Sequence, residues 1–211
     1  MAASPATVVL LHGLWMNAAA MFLLARALRR AGLRTACVGY RPMREPLAAH
    51  LERVSAALRA CGEGPVHLLG HSLGGLVALH ALALPAAARV QRVLLLGAPV
   101  AGCDNAARLA ALPGGKALMG LAFEMLSHPF TGVPATGGAT QVGSVAGTRA
   151  VGLGRLVLGG PADGDGVVSV EETRLPGLAA HRTMAVSHSG MLFSREVARQ
   201  SVAWLRDGAF A

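Results

Sequence analysis

Lysine is nearly missing from this 211-residue sequence: Lys116 stands alone among 19 basic residues, and the others are all Arg. Aromatic residues make up only 4%, and none interleaves with the arginines as it would in a nucleic-acid binder, so nucleic acid is not an expected partner. Cysteine is scarce as well. Cys37, Cys61 and Cys103 are odd in number, far apart and without metal-ligand spacing, which argues against a disulfide framework and against a metal site. They read as small core residues of a protein in a reducing compartment. No apolar run reaches the roughly 18 residues of a membrane span. Only six residues precede the first apolar run, too few for a secretion leader, so the expected location is cytoplasmic. With 14% charged and 53% hydrophobic residues, disorder is excluded and one well-packed domain over residues 1–211 is expected. The formal net charge is +8, and residues 1–60 hold eight Arg against two Glu. Such an excess suits peripheral contact with an anionic surface, although its scattered helical spacing favours an ordinary solvated face.

What is present comes in strand-sized and helix-sized pieces. Thr7–Leu11, Arg34–Tyr40, Pro65–Leu69, Arg89–Ala98 and His181–Val186 read as strands. Helices are expected from the Asn17 cap to Ala31, over Pro46–Cys61, over Leu76–Ala83 and over Arg195–Leu205. Val142–Gly147 and Leu156–Leu158 are two further apolar runs, at least one of which is expected to be the next strand. The alternation predicts an α/β fold of about six mostly parallel strands with helices on both faces. Residues 103–141 break the rhythm. Within them 117–127 is apolar almost all round, and reads either as a core helix or as part of a small cap or flap over an active site.

The chain is organised around Gly70-His71-Ser72-Leu73-Gly74-Gly75, set between a β-rich run and a helical one. A Gly-x-Ser-x-Gly in that setting is the nucleophile-elbow pattern. Gly70 and Gly74 remove Cβ atoms that would collide in so tight a turn, and Ser72 stands at a helix N-terminus that favours developing negative charge. A Ser hydroxyl needs a base, and the base needs an orienting acid. His188, just after the last strand and followed by Ser189-Gly190, is the candidate base. His67 and His80 lie within the elbow's strand and helix, His50 lies on an amphipathic helix, and His71 faces the turn, so none competes well. Asp165, on the Gly-flanked turn Asp163-Gly164-Asp165-Gly166-Val167-Val168, is preferred as the acid over Asp163, with Asp104 a third candidate. Two backbone donors for an oxyanion are expected from Leu73, after the nucleophile, and from Leu14, in His12-Gly13-Leu14 at the end of the first strand.

Together, His12-Gly13, the Gly70–Gly75 elbow, Asp165-Gly166-Val167-Val168 and His188-Ser189-Gly190 resemble the α/β-hydrolase superfamily, and within it the small bacterial lipases and esterases. The likeness covers roughly residues 7–207. It implies a minimal form of that fold without the two N-terminal strands of larger members. It also implies a Ser-His-Asp carboxylester hydrolase without metal or organic cofactor, acting on a small-molecule or lipid ester. Trp15, Met16, Met191 and Leu192 are candidate walls for a short to medium acyl group. Two alternatives stay open: a thioesterase or amidase using the same triad, and a silent member of the fold used as a binding module.

Overall fold

The structure is a computed structural model that describes residues 4–134, 140–151, 159 and 163–211. Strands Thr7–Leu11 (β1), Arg34–Val38 (β2), Val66–His71 (β3), Val90–Leu96 (β4), Gln141–Gly147 (β5) and Ala180–Met184 (β6) form one sheet. Its order is β2-β1-β3-β4-β5-β6, and every neighbouring pair is parallel. Around it lie Phe22–Arg30 (α1), Leu47–Arg59 (α2), Leu73–Ala81 (α3), Asp104–Ala111 (α4), Gly115–Met119 (α5), Ala122–Ser127 (α6) and Arg195–Asp207 (α7). This is the expected minimal α/β-hydrolase architecture.

Strand alternation sorts the apolar side chains into two cores. Val9, Leu11, Leu68, Val93 and Leu95 face one layer with α2, α3 and α6. Val8, Leu10, Leu69, Leu94 and Leu96 face the other with α1 and α7. The central strands β1 and β3 are buried along their whole length, as a parallel sheet covered on both faces requires. The two outer strands carry Arg34 and Thr35, or His181, Arg182 and Thr183, and are only partly covered. Those polar groups blunt edges that would otherwise pair with another chain.

Trp204 on α7 plugs the second core beneath β5. Its indole N–H donates to the Val93 carbonyl at 2.9 Å, and Phe210 stacks on it at 5.1 Å. A Cβ added at Gly143 would lie 2.5 Å from the Trp204 ring. Gly143→Ala is therefore expected to destabilise the fold by about 1–3 kcal/mol through overpacking, read as a lower denaturant midpoint at unchanged m-value.

Several expectations are corrected. The helix expected from Asn17 begins as a 3₁₀ turn over Ala18–Met21, capped by the Asn17 side chain on the Ala19 N–H, before α1 starts at Phe22. The strand expected over 34–40 ends at Val38, and the one over 181–186 spans Ala180–Met184. Of the two further apolar runs, Gln141–Gly147 forms β5, while 156–158 lies outside the described residues. Cys37 is exposed on an edge strand rather than in the core. The apolar stretch 117–127 is not one helix but parts of α5 and α6, broken at Gly120 (φ 56°). There the chain presses so closely on Met43 that a Cβ would stand 2.2 Å from its carbonyl oxygen. Met119, Ala122, Met125 and Leu126 are buried, whereas Leu118 and Leu121 are exposed. No helix among the described residues is long and apolar enough to cross a membrane.

Candidate active site

The chain runs from β1 outward to β2 and then returns to β3 on the other side of β1. Strand order reverses there, and a crevice opens beyond the C-terminal ends of those two strands. Gly13 follows one of them and Ser72 the other. Ser72 caps α3 with φ 54° and ψ −125°, and Trp15 has φ 59°; they are the two non-glycine residues with positive φ among the described residues. Such backbone costs about 1–3 kcal/mol and persists where its surroundings enforce it. At Ser72 the enforcement is visible. A Cβ on Gly70 would stand 2.3 Å from the Gly74 carbonyl oxygen, and one on Gly74 would stand 2.3 Å from that of Leu11. The elbow is thus jammed against both itself and β1.

Asp165 and His188 come together although 23 residues apart in sequence. His188 Nδ1 lies 2.7 Å from Asp165 Oδ2, and the pair is buried. The second carboxylate oxygen accepts from the Val167 and Val168 N–H groups at 2.9 and 2.8 Å, and the His188 N–H donates to the Asp165 carbonyl at 3.0 Å. The fully occupied carboxylate offsets the cost of burying its charge. Space for the pair is made by Gly97 and Gly147, where an added Cβ would fall 2.9 Å from Asp165 Oδ2 and 2.6 Å from Asp165 Cβ. Asp163 and Asp104 are both exposed.

Ser72 and His188 line one cavity of about 520 Å³, together with Leu14, Trp15 and Met16. Hollows of about 610 Å³ beside Arg89 and Arg92, and about 580 Å³ beside Glu171 and Arg174, are larger but contain neither Ser72 nor His188. Met119 and Leu126 also wall the site cavity. The Trp15 indole N–H donates to the Leu118 carbonyl at 2.9 Å, tying the cavity rim to α5. Cys103 lies in the same wall, where burial pushes its thiol up to about 12, so it is no rival nucleophile at neutral pH.

Two expected wall residues are elsewhere. Met191 and Leu192 belong to the core between the sheet and α1 and α7 and do not line the cavity. They sit in a 3₁₀ turn over Ser189–Leu192, whose tight winding carries successive side chains quickly away from the direction of His188. The Met191 methyl instead packs against Gly147, 2.9 Å from where a Cβ there would be.

Other residues matter that the sequence reading passed over. Asn105, opening α4, donates from Nδ2 to the Val167 carbonyl at 2.6 Å. Glu172 accepts from the Asp104 and Ser169 N–H groups, both at 2.6 Å. These bonds lock the Asp165 turn to the helix above the cavity. The His12 ring Nδ1–H donates to the Gly13 carbonyl at 3.0 Å, while Tyr40 stacks on that ring at 4.2 Å and its hydroxyl donates to the His12 carbonyl. The Gly13–Leu14 peptide is thereby fixed in orientation. His71 reaches the other side of the cavity, with Nε2 3.0 Å from the His188 carbonyl oxygen. The Asn105–Val167, Glu172–Asp104, Tyr40–His12 and His71–His188 contacts have no local signal, because each joins segments distant in sequence.

The fold and this constellation define a protein of the α/β-hydrolase class. The chain belongs to the alpha/beta hydrolase family, whose model matches residues 8–208. No curated protein matches the sequence. Among solved structures it is similar to the Bacillus licheniformis lipase BlEst2 in mature form, with 22% identity and a TM-score of 0.74, covering 90% of this chain and 89% of that one. Against the propeptide form of that lipase the values are 23% and 0.78, with 99% of this chain covered and about half (51%) of that one. The metagenomic carboxyl esterase MGS0156 is 19% identical with a TM-score of 0.65, over 89% of this chain and 65% of that one.

Proposed function

We propose that the protein is a serine carboxylester hydrolase of the esterase or lipase type, acting on short- to medium-chain acyl esters. The observation that carries this reading is the buried Asp165–His188 pair on a cavity that also holds Ser72, in strained backbone at a helix N-terminus. With Nδ1 engaged by Asp165, His188 has Nε2 free to take the Ser72 proton as Oγ attacks the ester carbonyl carbon. The tetrahedral oxyanion is received by the Leu14 and Leu73 N–H groups. The bond to the alcohol then breaks, and His188 returns its proton to the departing alkoxide. Water attacks the acyl-enzyme, giving a proton to His188 and restoring Ser72 as the acid leaves. Every step uses groups of the chain and water.

Of the expected cap over 103–141, residues 135–139 lie outside the described residues and Gln141 already belongs to β5; in this reading α4, α5 and α6 close one wall of the cavity as a small cap. Its buried side chains and the Trp15–Leu118 bond favour a fixed wall over a mobile lid. A mostly apolar cavity of about 520 Å³ suits a compact acyl group. A p-nitrophenyl series from acetate through butyrate and octanoate to palmitate tests this. The expected kcat/KM peaks at butyrate or octanoate and falls at palmitate. A maximum at palmitate would overturn the chain-length preference, and no turnover of any ester by folded protein would favour a thioesterase, an amidase or a silent binding module.

A further inference from the structure

His71 is used by none of these steps, yet it lies against both His188 and Gly13 and directly precedes Ser72. It ends β3, is covalently joined to Ser72 and is fully buried. Its ring lies 4.8 Å from the His188 ring, and its Nε2 is 3.0 Å from the His188 carbonyl oxygen. A carbonyl can only accept, so Nε2 carries the ring proton and Nδ1 is bare. Nδ1 has no hydrogen-bond partner and lies 3.2 Å from where a Cβ on Gly13 would be. One imidazole thus joins the nucleophile's strand, the base's main chain and the loop after β1.

The His188 main chain is gripped at both peptide groups: its N–H by the Asp165 carbonyl and its carbonyl by His71. The first grip ties the base to its acid. The second ties it to the strand that carries Ser72, across 117 residues of sequence. We propose that His71 is a positioning residue, whose Nε2–H sets the distance between His188 and Ser72. This rests on reading those two as base and nucleophile. Burial, with His188 as the next contribution, drives the His71 pKa down to about 3, so the ring stays a neutral donor at neutral pH.

Glutamine and asparagine separate the donor from mere bulk. The amide nitrogen of Gln reaches about as far as an imidazole Nε2, whereas that of Asn stops near the Nδ1 position. His71→Gln is therefore expected to keep most of the wild-type kcat. His71→Asn is expected to lose about 10- to 100-fold in kcat with KM barely moved, since a base misplaced by an ångström is costly while the cavity is intact. Equal activity of the two folded variants, high or low, overturns the proposal. The second measurement needs no variant: side-chain ¹⁵N shifts of the wild type at neutral pH should show His71 protonated at Nε2 and bare at Nδ1. A proton on Nδ1, or a cationic ring, overturns it as well. Fluorophosphonate labelling of wild-type Ser72 separates the two failures. Without labelling the underlying reading falls; with labelling and equal variants, only the role of His71 does.

Discussion

Ser72→Ala is expected to lower kcat on p-nitrophenyl butyrate by about 10⁴- to 10⁶-fold with no comparable change in KM. On this reading the loss is large because Ser187 and Ser189, which also line the cavity, do not stand in the strained turn at the N-terminus of α3. The backbone donors and the cavity remain, so a small residual rate over water should persist. Stability should hardly change, because the elbow's strain comes from the crowding of Gly70, Gly74 and Leu11, and Ala tolerates φ 54° no worse than Ser. The matching positive result is stoichiometric modification of wild-type Ser72 by a fluorophosphonate, located by peptide mass spectrometry. Label on a different serine, or a folded Ser72→Ala protein with wild-type turnover, would remove Ser72 from the mechanism.

Asp165→Asn should come next in size, about 10³- to 10⁴-fold in kcat. The substitution keeps the volume, and its remaining oxygen can still accept from Val167 and Val168. What changes is the atom facing His188. An amide N–H there forces the imidazole proton from Nδ1 to Nε2, leaving no lone pair to receive the Ser72 proton. Asp163→Asn provides the contrast, since Asp163 is exposed and its substitution should leave kcat within a few-fold of wild type. If Asp163→Asn proves the more damaging change, the two carboxylates exchange roles.

The strand–elbow–helix was legible because its constraints are local. Glycines two residues either side of a Ser, an apolar β run before it and a helical run after it describe one continuous piece of backbone. Strand existence was equally legible, since buried parallel strands leave continuous apolar runs such as Val8–Leu11 and Val93–Leu96. Element ends were not, because the last residues of β2 and β6 are decided by their single neighbours in the sheet. The break in 117–127 had a visible cue in Gly120, but its cause is contact with Met43, distant in sequence. Met191 and Leu192 failed as cavity walls because proximity to His188 along the chain says nothing about direction in a 3₁₀ turn.

The sequence by itself determined the α/β class and the tight Gly70–Gly75 turn between strand and helix, and it favoured Asp165 over Asp163 as the candidate acid, because turn sterics and hydrophobic periodicity act over a few residues. Tertiary structure alone decided what surrounds that acid and brings it to His188. The room left for Asp165 by Gly97 and Gly147, the Asn105 bond to Val167, the Asp104 bond to Glu172 and the His71 bond to His188 each depend on segments well separated in sequence. A long-range hydrogen bond leaves no mark in local composition, since either partner would satisfy the same local pattern with water. Only when the sheet stacks β1, β3, β4 and β5 side by side do their C-terminal ends bring these groups within reach of one another.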